Sequence, residues 1–346
     1  MSNLPHSSHA VVDSAPSPSR PSAIVLKRSD EPVRLSIHRA ARYLSWAAVI
    51  LLGAGALVTT TGSGLAVPDW PLSFGTFFPR MVGGVRFEHS HRLIAGAIAT
   101  ATFIIGVWVV RRESRAPVRW LAIAAMLSVF LQALLGGLTV LMKLPTIVSS
   151  AHATLGQTYF CMLVALAMVT APAYRSALRR PAGPHDGVLK GMALATIALC
   201  YVQLMIGAWM RHSYGGLAIP TFPLCYGHLL PPTWNEPVIS NFAHRIGALA
   251  VLLMVGAWVH VILRGYRDEP QLRTAARHLS LALMAQILLG ASTIWTERSI
   301  IITSLHVVNG ALVLATAVVL ALWIWRLLPC GAAEAPTLLT DRAVRG

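Results

Sequence analysis

Four histidines, His91, His152, His244 and His306, each open a long apolar segment, and the second pair repeats the first at an offset of 153 or 154 residues. Imidazole is costly to hide in hydrocarbon, so histidines kept in such surroundings ask what binds them. Two imidazoles at equal depth, on helices running the same way, are what a planar macrocycle with a central iron requires. Zinc competes, but it wants three or four protein ligands rather than two. A lone histidine near a membrane-helix end is commonly an interfacial residue. Two per repeat, matched in depth, favour ligation of heme iron.

The repeats differ beside these histidines. The first reads Glu88-His89-Ser90-His91-Arg92, the second Asn241-Phe242-Ala243-His244-Arg245. Glu88 lies one helical turn before His91, so its carboxylate reaches toward whatever His91 binds. A carboxyl beside a desolvated pocket is a candidate catalytic proton acceptor with a raised pKa; an ordinary charge at a helix start is the rival reading. Asn241 cannot carry a proton. Arg92 and Arg245 follow their histidines directly. An arginine this near hydrocarbon needs an anion, for which heme propionates are the obvious choice and lipid headgroups the competitor. Gln132 and Gln286, beside Gly136-Gly137 and Gly290-Ala291, read as interhelical glue. His89, His212, His228, His185, His260 and His278 have no repeat support and read as solvated.

Positioning such residues falls to membrane helices. Apolar residues make up 55% of the 346 and charged ones 12%, the profile of a polytopic membrane protein. Eight stretches, roughly 44–62, 89–110, 120–142, 150–172, 188–209, 240–263, 278–296 and 301–325, reach the length a bilayer demands. The net charge of +15 does not form one basic patch. Lys and Arg alternate with the spans, 21 on one side against 5 on the other, which places both termini in the cytoplasm and argues against a nucleic-acid partner. Four cysteines, without a CxxC spacing, give no disulfide framework.

An offset of 152 lays SGLAVPDWPLSFG (63–75) on GGLAIPTFPLCYG (215–227), and one of 154 lays QALLGG on QILLGA and SSAH on TSLH. Each unit holds four spans and so enters the membrane in the same orientation. The expected fold is all-α, with eight transmembrane helices as two tandem four-helix bundles. Residues 1–43 read as a disordered cytosolic arm ending in an interfacial stretch, Arg34 to Arg42, 44–172 as the first bundle and 173–187 as a cytoplasmic linker. Residues 188–325 read as the second bundle and 326–346 as a cytosolic tail. The outer loops, about 63–87 and 210–239, carry matched Pro and aromatic residues that suit either a lid over each bundle or headgroup anchoring.

The motifs TGSGLAVPDWPLSFG, EHSHR, LLGGLTV, SSAHATLGQ and NFAHR, in this order from about residue 44 to 325, resemble those of the heme A synthase family. The resemblance implies an enzyme of a bacterial cytoplasmic (inner) membrane, a mitochondrial inner membrane being the lesser reading, that oxidises a methyl substituent of heme O to a formyl group. It implies that His91 and His152 frame the substrate heme, that His244 and His306 ligate a heme b cofactor, and that Glu88 is the catalytic carboxylate. Heme O synthase and an electron-transfer partner are the expected associates, besides membrane lipid. Many members carry loop cysteines at places matching Val67 and Ser73; here only Cys225 stands in an outer loop, which makes a loop disulfide doubtful. A diheme b-type membrane cytochrome that only relays electrons explains the histidines equally well but gives Glu88 no task. A repeat-built transporter would place its polar residues nearer the bilayer midplane.

Overall fold

The computed structural model describes residues 31–181, 183 and 185–329. Eight long helices carry the fold: α1 (Glu31–Thr60), α2 (Val85–Arg112), α3 (Ala116–Leu141), α4 (Thr146–Thr170), then, after the short α5 (Pro172–Ser176), α6 (Asp186–His212), α7 (Glu236–Gly265), α8 (Pro270–Trp295) and α9 (Ile300–Leu327). All eight are long and apolar enough to cross a membrane, which makes this an integral membrane protein. Among the described residues there is no strand beyond two isolated bridges.

Helix starts follow local chemistry. Proline occupies the first turn of α3, α7 and α8, where its missing N–H leaves no bond unmade. At α7 the Asn235 side chain also caps the amide of Val238 at 3.1 Å.

Two expectations about the ends need correction. α1 begins at Glu31, well inside the stretch expected to be a disordered arm. Pro32 is tolerated in its first turn, and the basic segment Arg34 to Arg42 is helical because Ile37 and Ala41 bury against Val109, Val118, Ala122 and Leu166. The linker likewise contains α5, and its Arg180 pairs with Asp186 and stacks 4.7 Å over the Tyr266 ring. Residues 1–30 and the tail from residue 330 lie outside the described residues.

In the first half α1 and α3 each pack on α2 and α4; in the second α6 and α8 each pack on α7 and α9. The halves meet through α1 and α4 on α9 and α4 on α6. Fully buried Leu189, Trp258, Ile262, Leu279, Leu320 and Ile324 fill the end of the second half away from the histidines.

The loops repeat one another in detail. Trp70-Pro71 and Phe222-Pro223 are both cis, and Ser73 bridges Thr76 as Cys225 bridges His228. Phe74-Gly75 and Tyr226-Gly227 share positive φ, as do Lys143-Leu144 and Glu297-Arg298 after α3 and α8.

Candidate functional site

Each of the four histidines lies in the second or third turn of its helix. At 1.5 Å per residue this sets them about 9–12 Å below the helix starts. Each ring lies against a glycine on the preceding helix. A Cβ built on Gly55, Gly136, Gly207 or Gly290 would stand 3.1, 3.0, 2.9 or 3.0 Å from Cε1 of His91, His152, His244 or His306 respectively. Every one of these glycines lies five residues short of its helix's last residue, Thr60, Leu141, His212 or Trp295. The same device, an imidazole seated on bare backbone, therefore occurs four times. Gly55 and Gly207 were not singled out from sequence; their shared distance from a helix end is the signal that marks them.

Three of the four rings carry an unpartnered nitrogen. Nδ1 of His91, His152 and His306 is buried with no partner, a costly state unless an external group completes it. His244 and His306 face each other with ring centroids 6.5 Å apart. Two imidazoles bound to one iron at about 2 Å have their centres roughly 6–6.5 Å apart, so this pair already has the spacing of a bis-histidine heme. Among the described residues no three His, Cys, Asp or Glu side chains converge on one point, so a zinc ligand set is missing there.

Outside the rings, the arginines hold the loops. Arg92 donates to the carbonyls of Asp69 (2.7 Å), Leu72 (2.9 Å) and Val67 (3.1 Å), and to Glu88 Oε1 at 2.5 Å. Glu88, 3% exposed, accepts from the Val67 amide at 2.9 Å through its other oxygen. Arg92 thus pairs with Glu88 and holds three carbonyls of the loop. In the second unit Asn241 accepts from Arg245 Nε (3.0 Å) and donates to the Gly215 carbonyl (2.9 Å), while Arg245 donates to the Ile219 carbonyl (2.7 Å). Arg245 Nη1 stays buried and unpartnered, open to an external acceptor. The two clasps share their form, but only the first contains a carboxylate.

The first loop folds inward as a cover. Trp70 packs on α3 so closely that a Cβ at Gly137, beside the His152 cradle, would lie 2.6 Å from Trp70 Cδ2. Asp69 accepts from the Phe74 amide (2.7 Å) and the Gly75 amide (2.8 Å), and those two bonds, that from Gly75 foremost, hold its carboxyl below the ordinary range. His89 corrects another expectation. It is 5% exposed, not solvated, and bonds Ser73 Oγ at 2.8 Å, tying α2 to the loop. His185, His228, His260 and His278 are exposed as expected.

The model of the cytochrome oxidase assembly protein family, COX15-CtaA, matches residues 85–318, which contain all four histidines. The chain belongs to this family. It is 32% identical to the heme A synthase of Symbiobacterium thermophilum over 254 residues, 70% of this chain and 81% of that one. The heme A synthase of Halalkalibacterium halodurans is 29% identical over 277 residues, 78% and 90% of the two chains. That of Geobacillus kaustophilus is 26% identical over 260 residues, 74% and 81%.

Proposed function

We propose that this membrane protein is a heme A synthase that oxidises a methyl substituent of heme O to a formyl group, giving heme A for terminal oxidases. Taking a methyl to an aldehyde with water as the oxygen source, RCH3 + H2O giving RCHO, releases four electrons and four protons; two hydroxylations at one carbon, each with oxygen from water, followed by loss of one water meet that balance. The electrons leave to a separate electron-transfer partner. Helices α1–α4 bind the substrate, with His91 and His152 on either side of it. Helices α6–α9 hold a heme b between His244 and His306, with Arg245 Nη1 toward a propionate. When bound, heme b supplies one-electron redox chemistry next to the substrate unit.

Glu88 is the proton acceptor in this reading. It stands one turn from His91 on α2, buried, with Arg92 offsetting its charge, and Asn241 at the equivalent place cannot take a proton. Trp70 and the Arg92-held loop exclude water from the first unit. The observation that carries the proposal is a buried carboxylate present in one unit alone, in a chain whose four helix-borne imidazoles each sit against a glycine. The alternation of basic residues with the spans supports a reading with both termini on the cytoplasmic side of a bacterial inner membrane, and heme O synthase is the natural source of the substrate in this reading.

Expressing the protein with a heme O source and extracting the hemes tests it. Heme A in the extract supports the proposal. Two bound hemes and no heme A would make the protein an electron-relay cytochrome instead.

A further inference from the structure

The four cradles are not equal, and the difference lies in a residue the sequence patterns had assigned to helix glue. One helical turn before the cradle glycine stands Gln132 on α3, Gln203 on α6 and Gln286 on α8, but Leu51 on α1. Gln132 Nε2 donates to the His152 carbonyl at 2.9 Å and reaches its ring Nε2 at 3.5 Å. Gln203 Nε2 donates to the His244 carbonyl at 2.8 Å and meets ring Nδ1 at 3.0 Å. Gln286 Nε2 lies 3.4 Å from His306 Nε2, and its oxygen accepts from Asn309 at 2.9 Å. Among the described residues the His91 ring makes no hydrogen bond.

The histidine-bearing helices make room for these amides. A Cβ at Gly156 on α4 or Gly310 on α9 would come within 2.9 or 3.1 Å of the amide nitrogen of Gln132 or Gln286, and one at Gly247 on α7 would collide with Gln203. On α2 the residue one turn after His91 is Ala95, and the neighbouring Gly96 has nothing within 4 Å. The first cradle thus lacks the amide, and α2 carries Ala95 where α4 and α9 carry a glycine.

A hydrogen bond to the ring nitrogen that does not bind metal fixes the tautomer and orientation of a histidine ligand and raises its basicity. An amide offers a donor and an acceptor, so it serves either tautomer. We infer that Gln132, Gln203 and Gln286 are positioning residues that lock three imidazoles as permanent iron ligands, and that His91, with Leu51 at the position the glutamines hold elsewhere, is the exchangeable one. The substrate heme would then be held firmly by His152 and loosely by His91, and a heme in the second unit firmly by both His244 and His306. The inference rests on the heme reading above and adds to it which of the four ligands lets go.

Carbon monoxide binding to the dithionite-reduced, heme-loaded protein tests it, because the gas binds only where an axial ligand departs. His244→Ala/His306→Ala protein reports on the first unit and His91→Ala/His152→Ala protein on the second. The expected result is rapid binding in the first unit and at least tenfold slower binding in the second. Leu51→Gln/Ala95→Gly should slow the first unit about tenfold, and Gln203→Leu should speed the second. Should the two units bind at the same rate, or should both sets of substitutions leave the rates unchanged, the inference is overturned. If Leu51→Gln/Ala95→Gly does not accumulate, Gln203→Leu alone decides. Preparations with no Soret band would instead sink the heme reading itself.

Discussion

Replacing Gly207 by alanine introduces one methyl group at the tightest of the four histidine cradles. Its Cβ would lie 2.9 Å from His244 Cε1 and 3.2 Å from Nδ1. Carbon atoms in contact settle at about 3.5–4.0 Å, so the ring must retreat by roughly 0.6–1 Å. An iron–nitrogen bond of about 2 Å does not follow such a displacement, and the 6.5 Å separation from His306 is lost. Overpacking of this kind costs about 1–3 kcal/mol, too little to unfold eight packed helices but enough to lower heme affinity roughly 5- to 150-fold. The assay is the Soret absorbance and low-spin electron paramagnetic resonance signal per mole of purified protein, titrated with heme b. Gly256→Ala is the control, on α7 with nothing within 4 Å of its added methyl. Full heme occupancy with an unaltered low-spin signal in Gly207→Ala would refute the cradle argument.

His244→Ala should bleach the low-spin spectrum of the second unit selectively; a spectrum that survives places the cofactor elsewhere. Glu88→Gln keeps an acceptor for the Val67 amide, so heme binding should persist while heme A production falls by about 10²–10⁴; unchanged output would remove Glu88 from the chemistry. The Asp69 carboxyl is held below its ordinary value by the Gly75 and Phe74 amides, so its contribution to loop order is present above the unfolded value near 3.9 and is lost as pH falls through the lower folded one. Proteolysis at exposed Phe77 and Phe78 should accordingly be slow at neutral pH and fast there in Asp69→Ala; equal rates would show that the turn does not rest on Asp69.

The spans were legible because a bilayer sets their length and apolar character almost alone, and the four histidines because imidazole is rare in such company. α1 escaped because Pro32 and the basic residues up to Arg42 resemble disorder unless Ile37 and Ala41 are seen to match a face of α2, α3 and α4. Glycine leaves no mark in a hydropathy pattern, so Gly55 and Gly207 emerged only when the imidazoles above them did. Gln203 was hidden for a related reason. Its counterpart at an offset of 152 is Leu51, so the duplication that exposed Gln132 and Gln286 concealed the third glutamine. The sequence shows that Arg92 needs an anion but not that Glu88, one turn away, pairs with it.

The absorption spectrum of the detergent-purified, iron-replete protein tests the central claim most directly. Imidazole pairs seated on glycine in two helical units predict a Soret band with low-spin, bis-histidine features that His244→Ala and His306→Ala each diminish. A folded, iron-replete preparation with no Soret band would contradict the account.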